Sequence, residues 1–294
     1  MSIDPDRVRP AAASVRHLRE RSRMELIPLP SLRRRFPEIP AGSRLSVTCS
    51  PAHGIDATID VTAALRKLGH DAIPHLAARQ IGSRAQLADI VRRCDAMGIE
   101  EVFCIGGDAK EAGPYAAALD LATGYAEVSD VVRCFGFAGY PEGHSAISGE
   151  QVAAALHAKQ DFVESRGLHG YVSTQMCFSG AAIVEWALRE RDRGLTLPLR
   201  LGVPGHVDRL KLMAISSRLG VGSSLRFLKS NRSSVKKLLK SATFEPAGIV
   251  DEVLGADRRA GIEGLHVFSF NNVAPTVEWF HRYLDGDTDQ GAAQ

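Results

Sequence analysis

The chain has 294 residues, a formal net charge of +2, and 45% apolar and 24% charged residues, a composition that excludes disorder-dominated and fibrous proteins. Its two basic runs, Arg33 to Arg35 and Lys236 to Lys240, carry no interleaved aromatics, which argues against nucleic acid as a partner. Five cysteines without CxxC spacing argue against a disulfide framework or a structural zinc and fit a reducing cytoplasm, and with no run of about 18 apolar residues neither a signal peptide nor a membrane span is expected.

Residues 1–22 read as a solvated arm with a short helix from Ala13 to Arg21, residues 23–286 as one catalytic domain, and residues 287–294 as a disordered tail. Within the domain, eight apolar, β-branched runs follow one another: 24–29, 44–50, 71–77, 101–107, 133–140, 170–176, 199–205 and 264–270. Helical patterns fill the gaps, at 57–68, 84–97, 115–121, 149–166, 180–193, 207–219, 233–241 with 246–256, and 274–284. In the second of these, Leu87, Ile90, Val91 and Cys94 share one face, as a helix laid on a sheet requires. Strands that are apolar almost throughout and alternate with helices indicate a parallel sheet buried on both faces. A (β/α)8 barrel, an α/β fold whose usual size is about 250 residues, is the expected architecture. An open doubly wound sheet is the alternative, but no GxGxxG follows the first strand. The stretch from Gly222 to Arg259 exceeds one crossover helix and predicts extra helices between strands seven and eight.

In such a barrel the chemistry lies at the C-terminal ends of the strands. Polar residues stand at many of these exits: Thr48, His75, Asp108, Tyr140, Glu142, His144, Thr174, Gln175, His206, Asp208, Asn271 and Asn272. Each has an ordinary reading beside the functional one. A strand-end histidine is often a hydrogen-bonded loop residue, and Asp108 could be a helix N-cap. Glu25 is different, because Met24, Leu26 and Ile27 place it inside the first strand. Burial of a lone carboxylate raises its pKa, and a carboxyl group protonated near neutrality serves as a general acid. His75, Glu142, His144 and His206 could in principle hold a metal, yet their spacing lacks a helical i, i+4 pair, and no metal is expected. A serine hydrolase is disfavoured by the lack of a GxSxG elbow.

Taken in order, the strand-end motifs resemble those of methylenetetrahydrofolate reductases. MELIPLP is similar to that family's EFFPP strand, SVTCS to SVTY, PHLAAR to PHLTC, IGGDAKEAGP to RGDxP, AGYPEGH to AAYPExH, STQMCF to TQFFF, VPG to IPG and HVFSFNN to HFYTLN. The resemblance runs from about Met24 to Leu284. It implies a barrel that reduces 5,10-methylenetetrahydrofolate to 5-methyltetrahydrofolate with electrons from NADH or NADPH, in one-carbon metabolism and methionine biosynthesis. On this resemblance Glu25 is the general acid that opens the imidazolidine ring, and Asp108 and Gln175 grip the pterin. Asp108 also favours the cationic iminium, His75, Gly107, Tyr140, His144 and Lys159 fall where the family holds its FAD, and Thr48 lies beside that FAD on the substrate side.

Three departures bear on the flavin. Gly106 replaces the arginine of RGD, Ala155 and Ala158 replace the asparagine and arginine of the NxxRK pattern that ends here at Lys159, and the arginine that closes HFYTLNR becomes Asn272. Charged hydrogen bonds are worth about 1.5–3 kcal/mol each, so losing such partners weakens a diphosphate's hold. The expectation is a flavin-free subgroup in which NAD(P)H delivers hydride directly. A conventional FAD-dependent reductase, a folate-binding protein, and a one-carbon enzyme run in the oxidising direction are the alternatives.

Overall fold

Short strands that are apolar on both faces have to pair side by side under a layer of helices, and here they do so in a ring. The computed structural model describes residues 18, 20–49, 51–208, 212, 243–244, 246–256 and 258–285. In chain order the elements are β1 (Arg23–Leu26), β2 (Arg44–Val47), α1 (Gly54–Lys67), β3 (Asp71–Ala77), α2 (Arg84–Ala96), β4 (Glu101–Ile105) and α3 (Ala118–Ala126). They continue with β5 (Cys134–Gly139), α4 (Gly149–Ser165), β6 (His169–Thr174), α5 (Gly180–Asp192) and β7 (Leu199–Pro204). The chain closes with β8 (Val207–Asp208), β9 (Thr243–Phe244), α6 (Ala247–Leu254), β10 (Ile262–Phe268) and α7 (Val273–Asp285). Eight strands form a closed barrel in the order β1-β10-β7-β6-β5-β4-β3-β2, and every pairing is parallel. This is the expected (β/α)8 barrel.

Several boundaries differ from the sequence reading for identifiable reasons. β1 stops at Leu26, two residues before Pro28, which has no N–H to give a ladder. Between β1 and β2 the crossover is a 3-10 helix, Pro30–Glu38, with one proline at its start and Pro37 inside it. α3 runs to Ala126 through Gly124, where a Cβ would lie 2.8 Å from the Tyr115 ring, so the glycine lets Tyr115 pack on the helix rather than ending it. Val207–Asp208, expected to open a helix, instead pairs antiparallel with Thr243–Phe244. Between the seventh and eighth barrel strands the described chain thus contains a two-stranded ribbon and the extra helix α6; apart from Leu212, which is buried, the rest of the helix expected at 207–219 and the one expected at 233–241 fall outside the described residues, as does most of the N-terminal arm. The end of that arm is docked: Leu18 is buried, and the Ser22 hydroxyl donates to the Leu18 carbonyl and accepts from Leu265 N at 2.8 Å.

Alternation along the strands separates two cores. Leu26, Leu45 and Val47 point outward beneath the helices, and Leu87, Ile90, Val91 and Cys94 of α2 pack outside the sheet as their spacing predicts. Ile73, Phe103 and Tyr171 fill the barrel interior. Below them, at the N-terminal ends of the strands, lies a charged floor. Arg23 is almost fully buried and grips Glu101 with two nitrogens at 2.8 and 3.2 Å, while reaching Asp71 at 3.0 Å. Arg200 bonds Glu101 at 2.9 Å with its guanidinium stacked over the Tyr171 ring, and Arg44 bonds Asp71 at 3.0 Å. Despite burial, the Arg23 and Arg200 charges hold the Glu101 carboxyl far below the usual carboxylate range. Among the described residues no helix is long and apolar enough to cross a membrane.

Candidate active site

Arg23 and Glu25 are two residues apart on one strand, so both side chains enter the barrel, Arg23 into the floor and Glu25 toward the strand exits. There Glu25 meets two histidines. Its Oε2 lies 2.9 Å from His266 Nε2, contributed by β10, and 3.7 Å from His75 Nδ1, contributed by β3. Phe103 stacks obliquely on His75 with ring centroids 4.5 Å apart, and Phe268 covers His266 at 5.0 Å. The far ring nitrogens, His75 Nε2 and His266 Nδ1, are buried without a hydrogen-bond partner among the described residues.

Burial alone would raise the Glu25 pKa, but the hydrogen bond from His266 and the neighbouring imidazoles outweigh it, and the net direction is downward. The expectation of a lone carboxylate whose pKa is raised by burial is therefore corrected: Glu25 is not lone. His75, by contrast, is driven down to about 4, mainly by burial, and stands neutral near pH 7. Glu25, His75 and His266 present donor atoms within 4.8 Å of one another, a set that a divalent metal could take, whereas the four residues considered from sequence do not form such a cluster among the described residues. A bound imidazole normally spends its second nitrogen on an outer partner, which neither ring has here.

The other predicted residues lie on the loops that crown this cluster. Asp108 is exposed just beyond β4. Its loop is pinned by Arg79, whose backbone N–H donates to Gly106 O at 3.0 Å while the guanidinium donates to Ala109 O at 3.2 Å and Ala116 O at 3.1 Å. Gly107 has φ +85°, and a Cβ there would come within 3.1 Å of the Ala77 Cβ, so glycine is required. Gly106 faces open space, and nothing lies within 4 Å of where a Cβ would be. The Tyr140 pKa is raised by burial and then by the Asp108 charge, which sets those two groups within electrostatic reach of each other. His144 makes an edge contact with the Tyr140 ring at 5.0 Å and accepts from Ala146 N at 3.1 Å.

Thr48 sits one residue past β2, with its amide donating to Leu26 O and its carbonyl accepting from the Thr58 hydroxyl. Gln175 leaves β6 with its amide on Gly139 O at 2.7 Å and its Oε1 accepting from Met176 N. Asn271, in the left-handed region at φ +59°, uses its side-chain amide both to donate to Ile27 O and to accept from Ile27 N, clamping the exits of β1 and β10 together. Lys159 stands apart: its ammonium lies 5.6 Å from the Phe137 ring centroid, in the layer between sheet and helices, and burial lowers its pKa.

Two contributors were not singled out from sequence, His266 and Arg79. A polar residue inside an apolar strand run was the signal that marked Glu25, and GLHVFSF carries the same signal at His266. Arg79 left no comparable trace, since its role is to hold backbone carbonyls of a distant loop.

In (β/α)8 barrels the active site lies at the strand exits, and here that end carries an acid, two imidazoles and an exposed carboxylate. The family model for methylenetetrahydrofolate reductase matches residues 37–219. This chain belongs to the methylenetetrahydrofolate reductase family. Among solved structures, an uncharacterized protein from Clostridium thermocellum that binds two copies of 5-methyl-5,6,7,8-tetrahydrofolic acid superposes with a TM-score of 0.59 at 13% identity, over 90% of this chain and 93% of that one. At that identity the likeness extends to the fold.

Proposed function

We propose that this protein reduces 5,10-methylenetetrahydrofolate to 5-methyltetrahydrofolate with hydride from NAD(P)H. The observation that carries this reading is Glu25, a half-buried carboxyl pointing into the barrel and bonded to His266 at 2.9 Å, in a chain of this family. A closed aminal is a poor hydride acceptor. Protonation of the leaving ring nitrogen breaks its bond to the methylene carbon, and the electron pair left on the other nitrogen forms the iminium that hydride can attack. Asp108, exposed at the exit of β4, is suited to a substrate that becomes cationic, and Gln175 at the exit of β6 is an amide for the pterin edge. Thr48 stands beside them at the exit of β2.

FAD would supply a hydride relay in this family, but the residues in its expected place do not suit its diphosphate. Gly106 offers no cation, Lys159 is half-buried over Phe137 with its charged form disfavoured, and the Arg79 guanidinium is engaged by two backbone carbonyls. The proposal therefore takes hydride from NAD(P)H, with NADH the preferred donor, and His75, Gly107, Tyr140 and His144 shape the neighbouring surface.

The test is oxidation of NADH by purified protein with methylenetetrahydrofolate as acceptor. Turnover without an absorption band at about 450 nm, where flavins absorb, supports both parts; a stoichiometric band overturns the flavin-free part. Absence of turnover with either nucleotide overturns the reductase reading and leaves folate binding, measurable by calorimetry, as its successor.

A further inference from the structure

Three strands bring three metal-ligating side chains together inside the barrel: Glu25 from β1, His75 from β3 and His266 from β10, with donor atoms within 4.8 Å of one another. Around a tetrahedral zinc ion, bonds of about 2.0–2.2 Å to imidazole nitrogen and carboxylate oxygen set neighbouring ligand atoms about 3.3–3.4 Å apart. The two separations from Glu25 Oε2, 2.9 Å to His266 Nε2 and 3.7 Å to His75 Nδ1, bracket that value. Closing the set on an ion therefore asks for adjustments of about 0.4 Å in each, which small side-chain rotations supply. Two imidazoles and one carboxylate are also a common protein contribution to zinc, leaving a fourth position for water or another ligand.

A second observation points the same way. The His75 side chain is 4% exposed, and among the described residues neither of its ring nitrogens makes a hydrogen bond, although Nδ1 is aimed at Glu25. Buried polar groups are normally satisfied, and a bound ion is one of the few partners that would satisfy this one. Phe103 against His75 and Phe268 against His266 hold the two rings in apolar surroundings. The cations of the floor do not oppose an incoming ion strongly, because Arg23 and Arg200 are paired with Asp71 and Glu101. The outward nitrogens, His75 Nε2 and His266 Nδ1, have no outer partner among the described residues. Such partners are worth about 10–100-fold in metal affinity, so the ion would be held reversibly rather than built in.

We propose that Glu25, His75 and His266 form a reversible zinc(II) site, and that zinc bound there switches the enzyme off. The site stands on the geometry alone, and the switching-off rests on the reductase reading above. A carboxylate that has given its oxygen electron pair to the ion has no proton to pass to the folate nitrogen, and the bond between that nitrogen and the methylene carbon stays closed. Removal of the ion frees Glu25 again.

Cobalt(II) reads the site directly, because it absorbs visible light far more strongly in a tetrahedral set than as the aqueous ion. Titrating metal-free protein with CoCl2 should give a visible band that saturates at about one ion per chain and is bleached by ZnCl2. His75→Gln and His266→Gln should each weaken cobalt binding by at least about tenfold. The two variants are independent, so one that failed to fold would leave the other to decide. With methylenetetrahydrofolate and NADH, ZnCl2 should inhibit wild type, EDTA should restore the rate, and the zinc concentration for half inhibition should rise by at least about tenfold in the same variants. No cobalt band, a band unchanged in a folded variant, or zinc inhibition that the variants retain, as cysteine ligation would give, overturns the proposal. So does activity lost to EDTA and restored by zinc, which would make the ion a requirement of catalysis. If neither nucleotide supports turnover, the reductase reading fails while the cobalt spectrum still decides the site.

Discussion

The two ends of the barrel use charge in opposite ways. At the floor, Arg23, Arg44, Asp71, Glu101 and Arg200 satisfy one another through contacts of about 3 Å, and little charge is left to interact with anything else. At the strand exits, among the described residues, Glu25 has one short hydrogen bond, two buried ring nitrogens have none, and Asp108 faces solvent. A saturated network rigidifies, whereas polar capacity without partners is available to a substrate. A cavity of about 300 Å³ does open at the floor end, lined by Arg21, Cys134, Glu164, Tyr171, Arg200 and Glu263 among others, but Arg21 is paired with Glu263 and Arg200 with Glu101.

The contrast can be broken from either end. Replacing Glu101 by Gln should cost about 3–5 kcal/mol of stability, because two buried guanidinium groups lose their counter-charge; urea unfolding measures it, and the protein that remains folded should keep its turnover. Glu25→Gln should do the reverse, lowering kcat by about 10²–10⁴-fold with little change in the urea midpoint.

His75 sharpens the comparison through pH. Its folded pKa of about 4 lies below the ordinary imidazole value of 6.5, so the unfolded chain binds a proton that the folded protein refuses. Stability from this residue is complete above pH 6.5 and is lost as pH falls toward 4, by up to about 3 kcal/mol. Across that window wild type should lose this much more stability than His75→Gln, and parallel curves would exclude the effect.

Asp108→Asn should lower kcat by about tenfold, less than for a buried electrostatic contact, because water shares the field of an exposed carboxylate. The smallest effect is expected at Gly106, where nothing lies within 4 Å of a Cβ: Gly106→Arg should change stability by no more than about 0.5 kcal/mol. A gain of visible flavin absorbance in that variant would identify position 106 as the missing anion partner.

Much of this was legible along the chain. All eight barrel strands lie within or beside the apolar runs read from sequence, because a strand buried on both faces has to be apolar almost throughout. Glu25 was legible for the same reason, as the one charge in such a run at its place. The floor was not singled out, although Arg23, Arg44, Asp71, Glu101 and Arg200 each stand at the first or second position of a strand. Charges at strand starts look like ordinary solvated ends until closure brings them into one layer.

Sequence by itself determined the order of strands and helices, the family motifs and the acid in the first strand, since each depends on residues close together in the chain. Only the tertiary structure decided what that acid touches. Glu25 and His266 are 241 residues apart, and they meet because β1 pairs with β10 when the barrel closes. Whether a carboxyl inside the barrel stands alone or finds a hydrogen-bond partner is a property of that closure, and no local pattern encodes it.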